Sequence, residues 1–173
     1  MSVLSGIAAA VDGAAGIYVW EVSTNADVQK YVASNTKAGP VRLPGNIDWS
    51  GSYRAHGPTP AYMPGESFTF KGSVDGTSGC TGTAIVDSVE ITIDIEAASP
   101  ITHNVSFSGD GALTIGASVA ADATTPTRYT SKGCKVELAD PAASPSYVEL
   151  ADVRQVTIRI EAENAKYVSS STA

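Results

Sequence analysis

The chain has 173 residues and a formal net charge of −7, from 11 Lys plus Arg and 18 Asp plus Glu. This length fits one domain with a core of its own, and the acidity argues against a protein that holds nucleic acid by neutralising its phosphates. The 17 Val and 11 Ile stand against 5 Leu, a bias that is typical of strands rather than of helical bundles or doubly wound α/β enzymes.

The chain is expected to have three parts. Residues 1–16 are rich in Ala, Gly and Val, but no basic residue precedes their apolar run and Asp12 interrupts it. We therefore interpret them as an N-terminal arm rather than a signal peptide. Residues 17–163 form the predicted domain, and the Ser-rich residues 164–173 form a C-terminal tail. No run approaches the roughly 18–20 apolar residues of a membrane span, so we expect no membrane partner.

A first strand at residues 17–22 precedes a long connection at residues 24–46. Thr24 or Asn25 can cap a short helix, because apolar residues at helical spacing follow them. Several Gly and Pro residues then interrupt regular structure before residue 46. We predict a long, partly helical inter-strand loop, and a connection of this length is usually functional.

Alternating apolar and polar residues predict the strands that follow. The run at 47–56 has one apolar face, made of Ile47, Trp49, Tyr53 and Ala55. The longest run, 83–97, has an aliphatic face interrupted only by Asp87, and it consists of Ile85, Val89, Ile91, Ile93 and Ile95. Together with shorter runs, these patterns predict a mainly β fold. We expect an antiparallel β-sandwich or partial barrel of about eight strands, with one short flanking helix and the long loop.

The sequence contains no motif that indicates catalysis. His56 and His103 lie in separate alternating strands, and we interpret His103 as a hydrogen-bonded, partly buried imidazole. Cys80 and Cys134 have no ligand at zinc spacing, so we favour two free thiols, with a single disulfide as the alternative. No nucleophile elbow or phosphate loop occurs. We expect no enzyme, no catalytic or metal site and no cofactor.

Two of the predicted strands place carboxylates opposite their aliphatic faces. The acidic positions are Glu90, Asp94 and Glu96 on one strand and Glu161 and Glu163 on the other. Concentrating like charges on one face costs stability through repulsion. An acidic face of this kind would repel phosphate, so nucleic acid could move past it without binding. A plain solvated face, or protection against edge pairing, remains the alternative.

Five segments of the domain resemble the tail tube (major tail) proteins of tailed bacteriophages. In that family a strand with a D-W-S-G-S pattern follows the long loop, and a later strand pair carries an I-x-H-x-V-x-F-x-x-x-G-A-L pattern. The resemblance covers roughly residues 17–163. The five segments are NIDWSGSYRAHG at 46–57, MPGESFTFKG at 63–72, GCTGTAIVD at 79–87, VEITIDIE at 89–96 and ITHNVSFSGDGALT at 101–114.

The resemblance implies a virion structural protein whose hexameric rings stack into a hollow tube for genome ejection. The acidic strand faces would line the channel and let double-stranded DNA pass. The long loop would reach a neighbouring subunit or ring through Lys30, Tyr31, Lys37 and Arg42. Further implied partners are the tail terminator, tape-measure and baseplate or tip proteins. The location would be the virion tail, with assembly in the host cytoplasm.

A second interpretation is a β-sandwich module that binds carbohydrate or protein, or that decorates a capsid. Sugar recognition uses exposed aromatic rings on a concave surface. Exposure of Tyr18, Trp20 or Tyr62 would support this interpretation.

Overall fold

The computed structural model describes residues 2–6, 8–11, 16–31, 41–74, 78–118, 129–139 and 147–163. These ranges contain eleven strands and no helix, so the expected mainly β fold is confirmed. The strands are β1 Ser2–Gly6, β2 Ala8–Val11, β3 Ile17–Tyr31, β4 Val41–His56, β5 Ser67–Ser73, β6 Ser78–Asp94, β7 Thr102–Gly109, β8 Thr114–Ser118, β9 Glu137–Ala139, β10 Tyr147–Glu149 and β11 Gln155–Glu161.

One antiparallel sheet contains most of these strands. Its order is β1-β3-β4-β7-β6-β5-β2, and β8 and β11 also pair with β6. β1 and β2 are the two ends of this order, although a single residue separates them in the chain. The segment predicted as an N-terminal arm therefore contains both edge strands of the sheet. β9 and β10 form a separate two-stranded sheet.

The short flanking helix and most of the long loop were wrong predictions. β3 continues through residues 24–31 and pairs with β4 as far as Tyr31 opposite Val41, so these segments form the outer part of a long hairpin. The predicted helix lacks a surface on which to bury its apolar face, since Val28 is 47% exposed, and short helices need such packing. Residues 32–40, with the predicted contact residue Lys37, lie outside the described residues.

The core lies between the inward faces of β3 to β7. On β4, Trp49, Tyr53 and Ala55 are buried as the alternation predicts. Ile47, on the same face, is 69% exposed because it lies on the outer part of the hairpin, beyond the core. Burial of the aromatic side chains contributes most of the apolar area here. The whole cluster comprises Trp20, Val22, Trp49, Tyr53, Ala55, Phe68, Phe70, Cys80, Ala84, Val86, Val89, Val105 and Phe107.

A β-bulge at Asp87 changes which residues of β6 face the core. The pairing of β6 with β7 shifts register between Val86 and Ser88, so Val86 and Val89 are both fully buried although three positions separate them. The Ser108 hydroxyl donates a hydrogen bond of 2.7 Å to the Asp87 carboxylate. The sequence placed Ile85 on the core face and Asp87 as its exception. Asp87 is the bulged residue, and Ile85 therefore lies on the face of β6 that points away from the core.

Candidate functional site

The outward face of the sheet is a broad polar surface built by five neighbouring strands. β3, β4, β7, β6 and β11 lie side by side. The first four turn apolar residues into the core, so alternation turns their polar residues outward. On β11 the polar residues lie on this same face, and Ile158 and Ile160 on its other face stay partly exposed. At a strand spacing of about 4.8 Å, the five strands span about 19 Å. We call this surface the polar face, and it is the strongest candidate for a functional site.

The strand registers arrange the polar face in rows that cross the sheet. Hydroxyl groups are frequent, because three of the five members of one row are serines and three of the four members of a second row are threonines. The first of these rows holds Glu21, Ser52, Ser106, Ser88 and Glu161. The second holds His56, Thr102, Thr92 and Thr157. Between them run Val19, Arg54, Asn104, Glu90 and Arg159.

Three of the five acidic residues predicted to line a channel lie on the polar face. Glu90 lies opposite Arg159. Asp94 lies on β6 with Glu90, and Glu161 lies on β11 with Arg159. Glu96 lies beyond the ladder, where its carboxylate is 3.5 Å from the Arg154 guanidinium. The remaining acid, at position 163, follows the end of β11.

The polar face is less acidic than the sequence pattern suggested. Its charged residues are the acids Glu21, Asp87, Glu90, Asp94 and Glu161 and the bases Arg54 and Arg159, a balance of −3. Arg159 lies 2.6 Å from the Glu161 carboxylate, so it is already engaged by a carboxylate, although an exposed ion pair of this kind stabilises the fold little. The pairing of β11 with β6 brings Arg159 opposite Glu90.

The outer part of the β3–β4 hairpin is the second candidate surface. Its register places Lys30 opposite Arg42 at the far end, beside Tyr31 opposite Val41. We call residues 24–31 and 41–48 the hairpin end. It carries three of the four predicted contact residues, and the fourth, Lys37, is not described.

The separate sheet of β9 and β10 exposes several large apolar side chains. Leu138 is 57% exposed, Tyr147 63% and Val148 54%, although soluble domains usually cover such residues. The Lys135 ammonium lies 2.6 Å from the Glu149 carboxylate, and this contact raises the pKa of Lys135. Both strands lie outside the main sheet. We call residues 135–139 and 147–149 the short ribbon.

Of the two histidines, His103 is buried and held by a hydrogen bond. His103 is 4% exposed, and its Nδ1 donates a 2.9 Å hydrogen bond to the Gly57 carbonyl. Burial lowers its pKa, an effect that nearby His56 reinforces and the bond to Gly57 partly offsets. The neutral imidazole fixes the segment after β4 against β7. Burial likewise raises the pKa of the Tyr53 phenol far above its ordinary value.

Other binding chemistry is weakly represented in the described ranges. Cys80 and Cys134 are free thiols, and burial raises the pKa of Cys80. No cluster of three or more potential metal ligands occurs among the residues described. Trp20 is 1% exposed, and Tyr62 stacks on Phe68 at a centroid distance of 5.4 Å. Trp20 is therefore closed to a sugar, whereas Tyr62 is half-buried. Tyr18 is also half-buried, and its ring stacks on His56 at a centroid distance of 4.6 Å.

No protein-family model matches the chain, and no curated protein is significantly similar to it. Within the described ranges, no helix has the length and apolar character needed to cross a membrane.

Proposed function

We propose that the chain is a virion structural protein that polymerises as stacked hexameric rings into a phage tail tube. The observation that carries this proposal is the hairpin end. Its two strands extend past the core and expose Val28 and Ile47, and its register places Lys30 across from Arg42. A lone domain gains nothing from ordering such an element, whereas a repeated head-to-tail contact with a second copy would stabilise it.

The polar face supports the second half of the proposal, passage of double-stranded DNA. Affinity for DNA comes mainly from Lys and Arg that neutralise phosphates. The polar face has only two such residues, Arg54 and Arg159, and the second contacts the Glu161 carboxylate. Serine, threonine and asparagine hold water without attracting phosphate strongly. In the proposed tube this face lines the channel, which is then hydrated, slightly acidic and non-adhesive.

The architecture required by the proposal is a curved partial barrel in each subunit, completed by its neighbours. β1 and β2 are the edge strands of the main sheet, and neighbouring copies in a ring would cover these edges, which otherwise invite uncontrolled pairing. The proposed partners beyond the chain itself are tail terminator, tape-measure and baseplate or tip proteins. No cofactor and no catalysis are part of the proposed role, and the proposed location is the virion tail.

Electron microscopy and sedimentation velocity of the purified chain test the proposal. We expect rings or hollow tubes of uniform width above a threshold concentration, because the contacts repeat from copy to copy. The proposal fails if the chain remains a compact monomer at millimolar concentration.

A further inference from the structure

β11 is an edge strand whose outer side is covered by no strand of the described chain. It pairs with β6 alone, without a register shift. The Arg154 carbonyl accepts a hydrogen bond from the Ile95 N–H, and the Ala162 N–H donates one to the Asp87 carbonyl, both at 2.8 Å. Because bonding direction alternates along a strand, the even-numbered residues of β11 bond to β6. The outward N–H and C=O groups therefore belong to Gln155, Thr157, Arg159 and Glu161.

This outer edge has few of the features that usually prevent strand pairing. Natural edge strands are commonly short, bulged, interrupted by proline or covered. β11 has seven residues, no proline and no bulge, and Ile158 is 45% exposed. Its two charged residues, Arg159 and Glu161, have opposite signs and already contact each other at 2.6 Å. Such an edge can accept a further strand through backbone hydrogen bonds.

The charges of β11 are complementary to those of a second copy of the same strand. In an antiparallel pair with a two-fold axis at Ile160, Arg159 of each copy would lie opposite Glu161 of the other. Since Glu90 lies opposite Arg159 on β6, each Arg159 would then have a carboxylate on both sides. Opposite charges across two strands stabilise a sheet. An axis at Arg159 or Glu161 would instead oppose like charges, and an axis at Ile158 would give each charge a neutral partner.

The apolar residues of β11 fit the same register. Ile160 would face Ile160 of the second copy, and Ile158 would face Ala162 of the second copy. In one copy these two isoleucines have cross-strand neighbours only on β6, namely Val89 and Ile91. A strand on the outer side would cover part of their exposed surface, and burial of apolar area favours association.

We propose that the free chain dimerises through β11, which pairs antiparallel with β11 of a second copy. The contact is isologous, so it closes at two copies. It is distinct from the head-to-tail contacts of the proposed tube and does not depend on them. Seven residues span about 23 Å, which makes the interface small and the dimer weak.

Cysteine substitution tests the register of the pair. The two copies of Ile160 would form a non-hydrogen-bonded pair, with Cα atoms about 4.5 Å apart, which suits a disulfide. I160C should therefore form a covalent dimer under oxidised glutathione. I158C should not, because its two copies would be about 13 Å apart. The wild-type chain, with free Cys80 and Cys134, is the control. Absence of the I160C dimer, or equal cross-linking of I158C, would overturn the inference.

Sedimentation equilibrium tests the charge complementarity, at about 1–100 μM protein and under conditions in which electron microscopy shows no tubes. R159E and E161R should each weaken dimerisation at least about tenfold, because four like charges would meet at the axis. An equimolar mixture of the two variants should restore dimers, because two carboxylates of one copy then face two guanidinium groups of the other. The controls K132E and D110R make the same charge changes on exposed residues outside β11 and should dimerise like wild type.

Unchanged melting temperatures of R159E and E161R show that these exposed substitutions leave the fold intact. The inference is overturned if the wild-type chain is monomeric in this range, if either variant dimerises like wild type, or if the mixture stays monomeric. Equal loss of dimers in the controls would also overturn it. A wild-type chain that dimerises but never forms tubes would instead overturn the proposed function.

Discussion

Reversing three acids of the polar face should turn a non-adhesive surface into one that holds DNA. Glu90, Asp94 and Glu161 lie on adjacent strands of this face. Their replacement by lysine changes the charge of the face in each copy by +6, from −3 to +3. Each new lysine that reaches a phosphate steepens the fall of log affinity with log salt by about 0.9. Three lysines give a slope of about −2.7, which is about 40-fold weaker binding between 50 and 200 mM salt.

Fluorescence anisotropy of a labelled DNA duplex, titrated with assembled wild-type or variant tubes, measures this effect. Wild-type tubes should leave the anisotropy unchanged at 50 mM salt, whereas variant tubes should raise it in a salt-dependent way. The matched control E66K/D110K/D152K also adds +6, but it uses exposed loop positions outside the polar face. The reasoning is refuted if wild-type tubes bind DNA as well as variant tubes, or if the control variant binds it equally.

Three further predictions concern the hairpin and the core. Replacing residues 26–47 by an Asn-Gly turn should abolish tubes but keep cooperative unfolding of the domain; tubes of normal length from this variant would contradict the role of the hairpin. G109A should lower the free energy of unfolding by roughly 1–3 kcal/mol in urea, because a Cβ at Gly109 overlaps the Trp49 indole; an unchanged urea midpoint would show that the contact relaxes. Because burial lowers the pKa of His103, the folded state binds fewer protons than the unfolded state, so stability should fall as the pH drops below about 6.5. Thermal melts of H103Q should lose this dependence, and retention of the full dependence would show that it does not come from His103.

The alternation of apolar residues predicted the core correctly wherever one side of a strand faces the core and the other side faces solvent. In β4 and β7 one face meets the core and the other meets solvent, so Trp49, Tyr53, His103 and Phe107 are buried as the pattern requires. The pattern is local, because the polarity of each residue reflects whether that residue is buried. The antiparallel, mainly β fold follows from it.

The hairpin end could not be predicted by the same reasoning, because it has no buried face. Val28 and Ile47 are exposed, so their spacing says nothing about a core. The strand conformation there comes from hydrogen bonds to residues distant in the sequence. Gly45 suggested a loop, but it lies at a bulge where a Cβ would overlap the Asp27 carbonyl.

Pairing between distant strands also determines the composition of the polar face. The sequence indicated acids on β6 and β11, but it could not show which residues face one another across the ladders. Only the register places Arg159 opposite Glu90, and only the bulge at Asp87 brings Ser88 into line with Ser106. The hydroxyl rows are a property of the folded sheet rather than of any one strand.

A cryo-electron microscopy map of the assembled chain tests the central claim most directly. The account predicts six-fold rings stacked around an open channel, with Glu90 and the hydroxyl rows of the polar face on the channel wall. A map in which the polar face points to the outside of the tube, or in which lysines and arginines line the channel, would contradict it.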